Sequence, residues 1–415
     1  MTTVSPSHSS WPLAVLLGLL IVVSAGCSTD SDADSGSDPA ADAGSADSSV
    51  ATDGEAAADA AGAYTAPTTW GPHAVGTRRY EWVDAKRKRS VPVRVWYPAE
   101  AKGDGKATYI ILLKGRAHEG AKPVAGLKSP LVLFSHGFRG AAEQSFGIME
   151  HVASHGYVVA APDHVTNTLM DFSASDEDAA KVAAQRPADI HYTHKRLVEP
   201  GYELASAIDA KRTAVMGHSF GGWTTLVLSG ASVSVATANK ACAAGSKSNI
   251  MCKYTKLLPN DAAIEGLKPI AGLKAAVALT PGGFSSFGDS LGKVSVPVLV
   301  VGGEKDSTTT LEAEIDPIYT ALAAPKAKLV VAGAGHMSFT DVCTLSIAKS
   351  FLKDMCVVPG LIKQDRGTTI TATFVTAWLD RWVKATKSAA KVLSPQAAKA
   401  LFPEASLSND GGVIF

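Results

Sequence analysis

Residues 213–228 constrain the fold more than any other stretch of this chain. The apolar run Thr213-Ala214-Val215-Met216 leads straight into Gly217-His218-Ser219-Phe220-Gly221-Gly222, and Trp223 to Leu228 then suits a helix. This order predicts a strand that turns sharply into a helix, with Ser219 at the apex in a strained conformation and its hydroxyl exposed. Side chains flanking so tight a turn would collide, which accounts for Gly217 and Gly221. The first amides of the helix face the apex and favour negative charge there.

A strand of that kind belongs in a sheet covered on both faces, and the chain supplies matching strands. Val91–Tyr97, Leu131–Ser135, Tyr157–Ala161, Ala275–Leu279, Val298–Val301 and Lys328–Val331 are short, nearly continuous apolar runs. Such runs predict a mostly parallel sheet, not a half-exposed antiparallel one. Helix-like segments between them give a doubly wound α/β architecture with helices on both faces. A helix over Phe374–Lys387 closes it. Two stretches, 165–205 and 232–270, fall outside this rhythm and are candidates for a small cap over the site.

A serine hydroxyl is a poor nucleophile until a base takes its proton. A strand–Ser–helix turn of this kind carries its partners in the chain order Ser, acid, His, and of the 11 histidines only His336 lies beyond Ser219, in the turn Gly333-Ala334-Gly335-His336 after the run Leu329-Val330-Val331. The acid that orients this imidazole is expected between the two, at a strand end. Asp306, in Gly302-Gly303-Glu304-Lys305-Asp306, is preferred over Glu304 and Asp289. Acyl chemistry also needs two preorganised amide donors for an oxyanion. The amide of Phe220, directly after the nucleophile, is one; that of Phe138, in His136-Gly137-Phe138 after Leu131–Ser135, is the other. His136 reads as a structural residue of that turn. Asp163-His164 follows another strand end, with no chemistry assigned to it.

Other features point away from metals and nucleic acid. His151 and His155 are four apart but lack a third ligand, so they read as a partly exposed helix face. The cysteines form no CxxC pair or Cys/His cluster of metal spacing, so no zinc site is expected. The basic run Lys86-Arg87-Lys88-Arg89 reads as a hairpin turn; it lacks the aromatic interleaving of a nucleic-acid surface.

Three motifs carry a resemblance. Phe134-Ser135-His136-Gly137-Phe138, Gly217-His218-Ser219-Phe220-Gly221-Gly222 and Gly335-His336-Met337-Ser338-Phe339-Thr340-Asp341 resemble the platelet-activating-factor acetylhydrolase and dienelactone-hydrolase-like branch of the α/β-hydrolases. Bacterial lipases and cutinases are similar in the same places. Val93-Arg94-Val95-Trp96-Tyr97-Pro98 and Ala153-Ser154-His155-Gly156-Tyr157 add to the likeness, which spans about residues 75–385. It implies an α/β-hydrolase fold and hydrolysis of carboxylic esters through Ser219, His336 and Asp306, without metal or organic cofactor. Dienelactone hydrolases themselves use a cysteine nucleophile, so Ser219 argues against that activity. The expected substrate is a small-molecule ester or lipid, and the expected enzyme a monomer. Two rival readings share these residues: a non-catalytic surface lipoprotein of hydrolase fold, and a peptidase or acyltransferase using the same triad.

The beginning of the chain reads as export machinery. Trp11 to Ala25 is almost wholly apolar, too short to span a membrane but suited to a signal-peptide core. Ala25-Gly26 before Cys27 resembles the lipobox of bacterial lipoproteins, which implies acylation of Cys27, although Ser24 stands where Leu is usual and the leader has no Lys or Arg. Ordinary cleavage to a soluble secreted enzyme is the alternative. The expected organisation is a leader over 1–27, a linker over 28–62 and a catalytic domain over 63–415. The linker is almost wholly Ser, Ala, Asp, Gly and Thr without aromatics, a composition that cannot bury enough apolar area to order itself. All nine acidic residues of the first 62 lie between Asp30 and Asp59 with no Lys or Arg, so the zero net charge conceals a remainder of about +9. Beyond Cys27, Cys242, Cys252, Cys343 and Cys356 suggest two disulfides in an exported chain. Three pairings exist, and short separations favour Cys242–Cys252 and Cys343–Cys356.

Overall fold

The computed structural model describes residues 64–410, apart from 101–104, 111, 249–251, 253, 258–268 and 324. The predicted leader with Cys27 and the linker 28–62 lie outside the described residues.

The strands are β1 (Ala74–Asp84), β2 (Arg89–Ala99), β3 (Lys106–Tyr109), β4 (Leu113–Glu119), β5 (Ser129–Ser135), β6 (Val158–Pro162), β7 (Ile208–His218), β8 (Leu273–Leu279), β9 (Val298–Gly303), β10 (Lys326–Val331) and β11 (Ala405–Asn409). They form one sheet in the order β11-β10-β9-β8-β7-β5-β6-β2-β1-β4-β3. From β10 to β6 every neighbouring pair is parallel; β2 and β11 then flank this centre antiparallel.

The continuous apolar runs are explained by burial on both faces. Val132, Phe134, Met216, Val277 and Val301 point into one core, with Ile148, Met149 and Val152 of helix α1 (Phe146–Ser154). Their strand neighbours Leu131, Leu133, Val215, Ala278 and Val300 point into the other, with Ile190 of α2 (Arg186–Leu197) and Trp223 and Leu226 of α3 (Phe220–Leu228). Each buried aliphatic side chain contributes about 1.5–3 kcal/mol, so a one-residue slip that exchanged the two sets would be strongly resisted.

Three expectations need correction. Residues 186–197 of the stretch 165–205 are not part of a cap: α2 lies on the sheet within the crossover between β6 and β7. Its rhythm was hidden because Arg186, Asp189, Thr193 and His194 are buried on it. The closing helix runs Gln364–Trp382, not Phe374–Lys387. Its threonine-rich first half is a poor helix former in which Thr369, Thr371 and Thr373 turn their hydroxyls back to carbonyls four residues earlier, and burial of Ile370, Phe374 and Trp378 overrides that propensity. Ala385, with φ of 60°, stands beyond its end. Finally, His151 is not on a partly exposed face but buried, its Nε2 bonded to the carbonyl of Pro67 (3.0 Å).

The other loose stretch, 232–270, carries helix α4 (Val235–Ala243) and the disulfide Cys242–Cys252. Beyond it Tyr254 lies against Phe138, ring centres 4.9 Å apart. The second disulfide is Cys343–Cys356, so both pairings follow the short separations.

Candidate active site

Adjacent parallel strands put their C-terminal ends in one row. Ser219 follows β7 directly, Asp306 lies three residues past β9 and His336 five past β10. The chain makes these turns where glycine allows it. A Cβ on Gly217 would strike the carbonyl of Gly221, and one on Gly221 would strike that of Ser135. The elbow is therefore closed to any larger residue at both positions.

Ser219 has φ of 56° and ψ of −116°, a conformation costly for a residue with a side chain. It stands at the N-cap of α3, where a serine normally binds its hydroxyl to the helix amides. Here no such bond forms, and the first helical bond runs instead from Trp223 N–H to the Ser219 carbonyl (3.1 Å). Its amide donates to the carbonyl of Leu279 (2.9 Å), pinning the strained turn to β8. The hydroxyl is left for chemistry.

His336 Nδ1–H donates to Asp306 Oδ2 at 2.8 Å, and both side chains are buried. Asp306 is saturated with donors. Oδ1 accepts the amides of Thr308 (2.8 Å) and Thr309 (2.9 Å), while Oδ2 also accepts the Thr309 hydroxyl (2.8 Å). Burial raises the carboxyl pKa, but the facing imidazole and these bonds prevail and hold it below the ordinary carboxylate range. Glu304 points elsewhere, accepting the amide of Gly333 (2.8 Å), and Asp289 is exposed.

A second thread ties the three loops together. Gly137 N–H donates to Gln144 Oε1 (3.2 Å), Gln144 Nε2 donates to His218 Nδ1 (2.9 Å), and His218 Nε2–H donates to the carbonyl of His336 (2.9 Å). Each atom has the role its chemistry permits, which fixes the His218 tautomer. Burial drives the His218 pKa down to about 3, so the thread is neutral. A Cβ on Gly137 would lie 3.5 Å from that of Ser219, so the loop after β5 runs close beside Ser219. The amides of Phe138 and Phe220 donate to no acceptor among the described residues. Their rings lie 6.2 Å apart.

Of the residues expected from the sequence, Asp306 and His336 are in contact and Ser219 stands directly after β7, whereas Thr309, Gln144 and His218, which bond to these loops, were not anticipated. For Thr309 a partial signal existed: an Asp just past a strand end readily closes an Asx turn onto the amide two residues on, here Thr308, which brings the hydroxyl residues that follow around its carboxylate. His136 is structural, as expected, its Nε2 accepting the amide of His164 (2.9 Å).

The fold and this arrangement define the chain as an α/β-hydrolase. The family model for chlorophyllase matches residues 121–403, and the chain belongs to that family. It is 29% identical over 209 residues to cutinase est2 of Thermobifida alba, covering 50% of this chain and 52% of that protein. It is 30% identical over 176 residues to chlorophyllase-1 of Citrus unshiu, 41% of each chain. The chain thus spans about half the length of the curated relatives it matches. A ferulic acid esterase from Streptomyces cinnamoneus shares the fold, with a TM-score of 0.56 over 86% of this chain and 98% of that one at 23% identity.

Proposed function

We propose that this chain is a carboxylic ester hydrolase working by two-step acyl transfer. Ser219 Oγ attacks the ester carbonyl carbon while His336 Nε2 takes its proton. The carbonyl oxygen becomes an oxyanion held by the amides of Phe138 and Phe220. The intermediate collapses, the alcohol leaves with the proton from His336, and a water activated by His336 then releases the acid and frees Ser219. Asp306 keeps the imidazole in the Nδ1–H tautomer and stabilises its charged form.

The observation that carries this reading is the conjunction of an uncapped, strained serine with a buried Asp–His pair on neighbouring strand ends. The relatives named cutinase and chlorophyllase, and the neighbour named a ferulic acid esterase, support an ester as substrate. Short-chain, lipid and polyester-type esters are the candidate classes. The two disulfides support export to an oxidising compartment, with residues 63–415 as the catalytic domain and Cys27 as its lipid anchor.

Ser219→Ala tests the central step. Turnover of p-nitrophenyl butyrate falls about 10⁴-fold or more, with an unchanged unfolding midpoint. Retention of a tenth of the activity by the folded variant would refute the assignment.

A further inference from the structure

Beneath the loop that carries Phe138 lies a polar network the reaction above does not use. Its centre is Arg186, at the start of α2, fully buried and without a direct carboxylate partner among the described residues. The nearby Asp189 is already taken by Arg87 and Arg89 and by His164 Nδ1–H (3.0 Å). Burial lowers the guanidinium to about 9, so it stays charged at neutral pH.

Its donors go to the walls of the site instead. Nη2 donates to the carbonyl of His136 and to Ser135 Oγ (3.2 Å), Nη1 to Asn167 Oδ1 (3.0 Å), and Nε to Thr224 Oγ1 on α3 (3.2 Å). Asn167 Oδ1 also accepts the amide of Arg139 (3.0 Å), a residue held at φ of 51°. One guanidinium therefore grips both sides of Gly137-Phe138: His136 directly by its carbonyl, Arg139 through Asn167. The same group lies 4.5 Å from the centre of the Phe220 ring.

Ser135, His164 and Asp189 repeat the donor order of a serine triad, with Ser135 Oγ 2.9 Å from His164 Nε2. All three are sealed from solvent, and the hydroxyl is engaged by both Arg186 and His164. They brace the end of β5 and offer no second reaction centre.

A buried charge without a facing carboxylate is an expensive way to fill a core, where apolar side chains serve at least as well. A rigid planar fork is what fixes several acceptors at once. We propose that Arg186 is the positioning residue of the oxyanion site, fixing the Phe138 amide from both sides and seating Phe220 before substrate arrives. This rests on the acyl-transfer reading above. Preorganised donors of this kind act on the transition state and not on ground-state binding.

The test is Arg186→Lys, which keeps the charge and loses the fork, beside Asn167→Ala, which keeps Arg186 and frees the Arg139 amide. Active sites are counted by fluorophosphonate titration, so misfolded protein does not enter the rates. Arg186→Lys lowers kcat by about 10- to 100-fold at constant KM. It weakens a trifluoromethyl ketone, whose adduct carries the oxyanion, by the same factor. Asn167→Ala moves both quantities the same way by about 3- to 10-fold, and decides alone if the lysine variant does not fold. Values of kcat and ketone affinity within twofold of the parent, or a rise in KM with kcat unchanged, overturn the proposal. Failure of the acyl-transfer reading looks different: the parent protein itself then neither takes up the ketone nor reacts with the fluorophosphonate.

Discussion

At the scale of single residues, the account turns on how Asp306 is kept ionised and still. Two amides and one hydroxyl fill the positions left by His336, and the hydroxyl belongs to Thr309, also 3.2 Å from His336 Nδ1. A hydrogen bond to a charged group contributes about 1.5–3 kcal/mol. Thr309→Val, which keeps the shape and loses the hydroxyl, is therefore expected to lower kcat by about tenfold or more, with Thr309→Ser restoring most of it. Equal kcat for the valine and parent proteins would contradict this role. The three residues proposed to react were legible as candidates because each follows an apolar run: Ser219 after Met216, Asp306 after Val301, His336 after Val331. Gln144 and Arg186 were not. Their importance lies in bridging segments far apart in the chain, such as Gly137, His218 and His336, and no local pattern encodes such a bridge.

Secondary-structure elements show the same division. Helices whose inward face is apolar announce themselves by periodicity, whereas α2 buries Arg186, Asp189, Thr193 and His194 and so read as a loose stretch. Helix α1 is fastened to the loop of His336 by Asp341, whose Oδ2 accepts the amide of Gly147 (2.8 Å). Burial raises that carboxyl to about 7. A carboxyl whose pKa is raised by folding stabilises the fold in its neutral form. Its contribution is complete below the ordinary carboxyl value and is lost as pH rises through 7. Thermal stability is therefore expected to fall between about pH 4 and 7, and Asp341→Asn to flatten that fall. An equal slope in the variant would count against it. The loop beyond His336 is also closed by Cys343–Cys356, 13 residues apart. Replacing both by serine is expected to cost about 3 kcal/mol, read from urea unfolding; a loss below about 0.5 kcal/mol would mean that the bridge does not constrain the unfolded chain.

For the whole molecule, the sheet order decides where chemistry can occur. Because β7, β8, β9 and β10 are consecutive and parallel, their C-terminal turns are neighbours about 5 Å apart per strand. Ser219, Asp306 and His336, spread over more than a hundred residues of sequence, each stand just beyond the end of one of these strands. The alternating burial of β5, β7 and β9 between two cores fixes this register, and this much was readable from apolar runs alone. The lateral order of strands was not, because it depends on pairings that no single run specifies. The most direct test of the account is mass-spectrometric mapping of a fluorophosphonate adduct on the parent protein and on His336→Ala. The account predicts one adduct, on Ser219, formed rapidly in the parent and at least about a hundredfold more slowly in the variant. An adduct on any other residue, or equal rates in the two proteins, would contradict it.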